Sequence, residues 1–270
     1  MSALPSGQRV HELRQLLAER FPDAAPLAEL DARRLAQPVS TGLAELDRIF
    51  PGGGLPRGRL TAWLPHGGAT AVLRAACHAA SAVGERTAWI DSARTAGPGW
   101  DGGPLVIRPE GGSARDGAAP RPRQGLHIAP GRSRGRPARA EDSLRRLNAL
   151  RSTEVVLRSG GFALVILAGT RPEGTETVRL VRAAREGGSA LVILTPGASL
   201  ASLRVTSRIL PHGYHWARGP FANPAAPLQA TVQLMVRTLG WSRQAEVTLP
   251  ITPYELRLSL DPSLPDRRGV

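Results

Sequence analysis

Lysine is missing from this chain: all 35 basic side chains among its 270 residues are arginine. A site that needs a compact ammonium on a flexible stem to reach a phosphate has nothing here to supply it. A guanidinium is a planar fork rather than a point charge. The Arg-, Ala-, Gly- and Pro-biased composition of the whole chain accounts for this absence without selection at any one position. Cysteine occurs once, at Cys77, which excludes an intrachain disulfide and points to a reducing compartment. Within an alanine-rich helical run, Cys77 reads as a small buried thiol. Aromatic residues make up 4% of the chain, which limits base-stacking platforms for single-stranded nucleic acid. No apolar run approaches the ~20 residues that cross a bilayer, and the N-terminus lacks the basic-then-apolar layout of a signal peptide. A cytoplasmic, nucleoid-associated protein without membrane contact is expected. His212 and His215 have no cysteine or acidic pair beside them at ligand spacing, so a surface or packing role is expected and no metal site. Serine, histidine and aspartate occur without a nucleophile turn, which leaves hydrolase chemistry unsupported.

What the chain has in excess is positive charge. Its formal net charge is +13, which favours a polyanionic partner, nucleic acid first and acidic protein second. The charge is concentrated. Residues 110–139 are Gly, Pro, Ser, Ala and Arg with almost no core formers, and are expected to form a disordered Arg-rich insertion. Its arginines are Arg115, Arg121, Arg123, Arg132, Arg134, Arg136 and Arg139, and the helix that follows adds Arg145, Arg146 and Arg151. Residues 110–151 hold ten arginines and four acids. Phosphate contacts from such a segment are independent of base sequence and sensitive to salt. The plainer reading is a solvated insertion.

A hydrophobic fraction of 41% suits one sizeable α/β core with tails. Residues 1–22 place Val10, Leu13, Leu16, Leu17 and Phe21 at helical spacing, an amphipathic helix that packs on the core or docks on a partner. Residues 23–39 form a proline-broken linker. The main domain is expected over 40–255, with a flexible tail over 256–270. Within it, Ser40–Phe50 reads as a short helix capped by Ser40 or Thr41. Strands are expected at 59–64, 87–91, 104–108, 162–167 and 190–194, and helices at 71–83, 140–158 and 175–186. This alternation predicts a mostly parallel sheet wound on both sides. After Leu200 the period changes to two, predicting antiparallel strands at 203–210, 229–238 and 244–250, the last two joined by a turn over 240–243.

The run Ser40-Thr41-Gly42-Leu43 through Leu46-Asp47, then Gly52-Gly53-Gly54-Leu55-Pro56-Arg57-Gly58-Arg59, then Trp89-Ile90-Asp91, resembles the RecA superfamily. Within it, the segments 105–109, 158–167 and 202–208 make the chain most similar to the ImuA family, the RecA/SulA-like accessories of bacterial mutagenesis cassettes. The resemblance covers about 40–109 and 140–250. It implies an α/β fold with a RecA-like P-loop core. It also implies a part in SOS-induced translesion DNA synthesis, with an ImuB-like protein, RecA and an error-prone polymerase complex as partners. Two further readings stay open: a DNA-binding RecA paralogue that modulates RecA filaments, and a SulA-like inhibitor of cell division.

The same resemblance says where nucleotide chemistry would sit, and there the chain departs from the pattern. The phosphate loop reads Pro65-His66-Gly67-Gly68-Ala69-Thr70-Ala71-Val72. Ala71 and Val72, or Thr70 and Ala71 in the shifted register, fall where Lys and Ser/Thr belong. Ala168, followed by Gly169, stands where the metal-holding aspartate would be, and Ala93 where a water-orienting glutamate would be. A non-catalytic protein is therefore expected, with no cofactor. Weak ATP binding through the N–H groups of Gly67 and Gly68 stays open; the plainer reading of that pair is a strand-to-helix turn.

Overall fold

The computed structural model describes residues 37–96, 100, 103–110, 135–195, 200–218 and 224–251. The chain alternates strand and helix: α1 (Ala44–Ile49), β1 (Leu60–His66), α2 (Ala69–Ala82), β2 (Thr87–Asp91), β3 (Leu105–Ile107), α3 (Gly135–Arg158), β4 (Leu164–Ala168), α4 (Gly174–Glu186) and β5 (Ala190–Leu194). Three long strands follow, β6 (Leu203–Arg218), β7 (Pro224–Thr238) and β8 (Trp241–Pro250). They join in one eight-stranded sheet of order β3-β2-β4-β5-β1-β6-β7-β8. Pairing is parallel from β3 across to β6. The β6–β7 and β7–β8 pairs are antiparallel. The expected α/β class, with a mostly parallel sheet and C-terminal antiparallel strands, is what forms.

Strand periodicity explains why both faces are covered. Successive side chains point to opposite faces of a strand, and here both sets are apolar. Trp63, Trp89, Leu164, Ile166, Val192 and Leu194 face one way, onto α1 and α2. Leu60, Ala62, Ile90, Val165, Leu167 and Ile193 face the other, onto α3 and α4. Each fully buried Leu, Ile or Val adds about 1.5–3 kcal/mol. Trp63 also donates its indole N–H to Ser207 Oγ at 3.0 Å, tying β1 to β6.

The segment that carries the sequence signature is a folded bracket behind the sheet. Asp47 accepts hydrogen bonds from Thr41 N at 2.9 Å, Thr41 Oγ1 at 2.7 Å and Ser40 Oγ at 2.6 Å. Val39 and Leu55 exchange backbone bonds of 2.8 Å in each direction. A Cβ at Gly54 would lie 2.5 Å from Val39 O, so only glycine admits this approach. Buried Arg57 donates to Gln37 O at 2.9 Å and Gly188 O at 3.2 Å, and pairs with Glu85. One guanidinium thus fastens the start of the domain, the α4–β5 turn and the chain after α2.

Several expectations need correcting. Residues 37–39 are not linker: Val39 is 1% exposed and packs in the core. Ser40 and Thr41 do not cap α1, whose N-cap is Leu43 with no side-chain bond; their hydroxyls are held by Asp47 instead. The Arg-rich insertion ends earlier than 139, because α3 starts at Gly135. Arg136 and Arg139 therefore stand on a helix. Pro137 falls in the first turn, where its missing N–H costs nothing. β6 and β7 run well past the expected ends, through Pro211 and Gly213 at register shifts. The β7–β8 turn is Leu239–Gly240 rather than 240–243. The proposed amphipathic helix with Val10, Leu13, Leu16, Leu17 and Phe21 lies outside the described residues, as does the tail.

Burial pushes the Cys77 thiol up to about 12, so it can react only when α2 opens. Arg57→Met is expected to destabilise the chain by about 1–3 kcal/mol, since it leaves the buried Gly188 carbonyl unpaired and the partly exposed Glu85 carboxylate without its guanidinium. Urea unfolding measures that loss. Thiol labelling of Cys77 should accelerate with it; unchanged labelling would show that Arg57 does not hold α2.

Candidate functional site

Parallel strands end together, and their outgoing turns meet at one edge of the sheet. A cavity of about 470 Å³ lies there. The turn after β1 contributes Gly67 and Gly68, and the start of α2 Thr70 and Ala71; the turn after β2 adds Ala93 and Thr95, that after β4 Gly169, and that after β5 Thr195. The facing wall is Ile209 and Tyr214 of β6, Ala230 and Val232 of β7, and the last residues of β8 through Ile251. The register shift between Ile209 and Tyr214 lets both reach the same space, as bulges do.

The structure brings most of the singled-out positions to this cavity. Pro65, Ala69, Thr70, Ala71 and Ala93 line it. Val72 and Ala168 instead point into the core, both fully buried. His66 is exposed at the end of β1 and is not part of the lining. Among the described residues that line the cavity, none is charged. Moving polyphosphate from water into such walls would leave its charge unpaired, at a cost of several kcal/mol.

In the β1–α2 turn Gly68 has a packing reason to be glycine, and Gly67, at φ +112°, a conformational one. Gly68 has φ +75° and is the N-cap of α2. A Cβ built on it would lie 2.7 and 2.8 Å from the two methyls of Val232. One on Gly67 would lie 3.4 Å from Ile209. A phosphate loop uses bare backbone to let an anion approach; here the bare backbone is met by β6 and β7 side chains. Across the cavity, a Cβ on Gly169 would lie 2.7 Å from Ala93 N, so the β2 and β4 turns also touch. Ser92 Oγ reinforces that contact, bonded to Ala168 O at 2.5 Å and to Thr170 Oγ1 at 2.7 Å.

Asp91, 1% exposed, ends β2. Its carboxylate accepts from Thr95 N at 2.7 Å, Thr95 Oγ1 at 2.9 Å and Ala96 N at 2.9 Å. It folds the turn after β2 and sets Thr95 in the cavity wall. The sequence signal was the acidic end of a strand; the turn it organises was not visible there.

Among the described residues, the arginines expected to contact nucleic acid have different surroundings. Arg145 bonds Asp142 at 3.0 Å and opens onto a polar cleft with Arg94 and Arg108, which Asp91, Glu110 and Glu141 also line. Arg146 is committed to the α3–α4 contact: it donates to Glu176 through both terminal nitrogens and to Arg171 O at 3.3 Å. Burial raises the Glu176 pKa, but bonds from Arg146 and the Glu173 backbone, with the charges of Arg146 and Arg179, outweigh it and hold the carboxyl below its usual value. Arg151 is exposed. Arg115, Arg121, Arg123, Arg132 and Arg134 lie outside the described residues. His212 and His215 are both exposed on β6. Among the described residues, no helix is long and apolar enough to cross a membrane.

Neither a protein-family model nor a curated protein matches the chain at a significant level.

The packing account of Gly68 is open to a double-mutant cycle. Gly68→Ala should cost about 2–4 kcal/mol, from left-handed strain plus overpacking against Val232. In a Val232→Ala background the cost should fall by about 1 kcal/mol or more. Additive losses would mean that Val232 is not what excludes the side chain.

Proposed function

We propose that the chain is a non-catalytic adaptor with a RecA-like core, acting in SOS-induced translesion DNA synthesis. It works by contact with an ImuB-like protein, RecA or both, and holds DNA through auxiliary arginine contacts. The observation that carries the non-catalytic part is the uncharged cavity at the β1–α2 turn. Electrostatic groups aimed at developing charge are usually the largest single contribution to catalysis, about 2.7–4 kcal/mol for one donor. The residues at the lysine, hydroxyl, aspartate and glutamate positions, from Ala71 through Ala168 and Ala93, offer none of these groups. Support for the RecA-like core comes from the glycine turn leading β1 into α2 at the middle of a mixed eight-stranded sheet. It comes equally from the signature between Ser40 and Arg59, which folds as one bracket. The pathway and partners rest on sequence resemblance, since fold by itself assigns no function.

The DNA contact draws on the excess charge around the β3–α3 connection. Removal of 111–134 should weaken binding to duplex DNA and flatten its dependence on salt.

The adaptor reading predicts that the full-length protein, purified from damaged cells, retains the ImuB-like protein or RecA without added nucleotide. Retention only with ATP, or of neither protein, contradicts it. Direct suppression of a tubulin-like polymer would transfer support to the cell-division reading.

A further inference from the structure

The solvent side of the α3–α4 layer carries apolar surface that the core does not use. On α3, Leu144, Leu147, Arg151, Val155 and Arg158 follow at intervals of three and four residues, which sets them on one stripe of the helix. Leu144 and Leu147 are each 39% exposed and Val155 is 69% exposed. Single apolar side chains on a surface need no explanation, but these three align along ~16 Å of one helix face. Beside the stripe lies a groove of about 170 Å³ between the two helices, with buried Leu150 and Leu180 as its floor and Leu147, Arg151 and Arg179 on its rim. A space of about 150 Å³ admits a benzene-sized ring, so the groove takes one leucine- or phenylalanine-sized side chain.

The charges around the groove are unequal. Arg146 holds Glu176. Arg179 holds one oxygen of Glu154 and Arg158 the other, at 3.0 Å. Arg182 holds Glu186 at 2.7 Å. Arg151 stands exposed within the apolar stripe and has no carboxylate partner among the described residues. Each of these glutamates is already neutralised, so the charge left over at the groove is positive. Nucleic acid would satisfy Arg151 but would set the aliphatic stripe against phosphate and sugar, where contacts are polar. A second copy of the chain would bring the same arginine-bearing face onto itself, like charge on like. A helix with apolar side chains on one face and carboxylates flanking them matches both the stripe and the charge.

We propose that the α3–α4 face docks an acidic amphipathic helix of a protein partner. One apolar side chain of that helix enters the groove above Leu150 and Leu180. Others pack along Leu144 and Val155, and a carboxylate reaches Arg151. About three turns of partner helix cover the distance from Leu144 to Val155. The inference deepens the adaptor reading, and rests on it only in taking the chain to work by protein contact.

The test measures fluorescence anisotropy of labelled peptides, each about 20 residues long so that a helix can form, with the full-length chain. One carries leucine at helical spacing and glutamate elsewhere; the second has every glutamate replaced by lysine; the third is a scramble of the first. The acidic helix should bind about tenfold or more tighter than either control. Arg151→Glu should weaken it about tenfold and bring a gain for the lysine peptide. Leu147→Ser/Val155→Ser should also weaken it about tenfold, whereas Arg185→Glu, exposed on α4 away from the groove, should stay close to wild type. Circular dichroism confirms the fold of each variant. Equal binding of the acidic and scrambled peptides, or equal losses in Arg151→Glu and Arg185→Glu, overturns the proposal. So does a loss of duplex-DNA binding in Leu147→Ser/Val155→Ser, which would make this face a nucleic-acid surface. The peptides are read without an ImuB-like protein or RecA, so their failure overturns the groove alone, and failure to retain those two proteins overturns the adaptor reading alone.

Discussion

The parallel pairing of β2, β4, β5 and β1 is the constraint on which the rest of the molecule depends. Their side chains are apolar on both faces, so helices must cover both, and every crossover must return to the same starting edge. All the outgoing turns then collect at the opposite edge. Whatever stands at positions 67–71, 93, 95, 169 and 195 becomes neighbours there, although up to about 130 residues separate them in sequence. The chain fills that meeting place with Gly, Ala and Thr. β6 and β7 press Ile209 and Val232 against it from the third side.

The stretch from Ser40 to Arg59, which carries most of the resemblance, lies away from this edge. Asp47 holds Ser40 and Thr41, Gly54 admits Val39, and buried Arg57 joins three separate stretches. These residues keep the bracket in place behind the sheet. They can persist when ligand chemistry is lost, because their work is folding. A resemblance carried by this segment therefore speaks to architecture, and says little about activity. The ion pairs between α3 and α4 make the same point for charge: Arg146 is spent on Glu176, and the polar cleft holding Arg145 carries as many acids as arginines.

Much of the fold was legible in the residues. The continuous apolar run at 162–167, with strands at 87–91 and 190–194 between helices, marked a sheet buried on both faces, and the alternating pattern after Leu200 marked the antiparallel edge. Boundaries were harder. β6 continues through Pro211 and Gly213 because a bulge tolerates both, and α3 starts at Gly135 because Pro137 in a first turn does not break a helix. At the site, the missing charges at Ala71, Ala93 and Ala168 were visible as letters. The approach of Val232 to Gly68 was not. It joins residues 164 positions apart through a cross-sheet contact that no local pattern encodes. Nor did sequence separate Ala71, which lines the cavity, from Val72, which faces the core.

The central claim is that this scaffold has no electrostatic grip on a triphosphate. Thermal unfolding with and without Mg-ATP tests it most directly, because any ligand of the native state alone raises stability, by ~2.7 kcal/mol at a hundred times its Kd. The account predicts that millimolar Mg-ATP leaves the midpoint where it was. A rise that grows with ATP concentration and disappears on Gly68→Ala would contradict it.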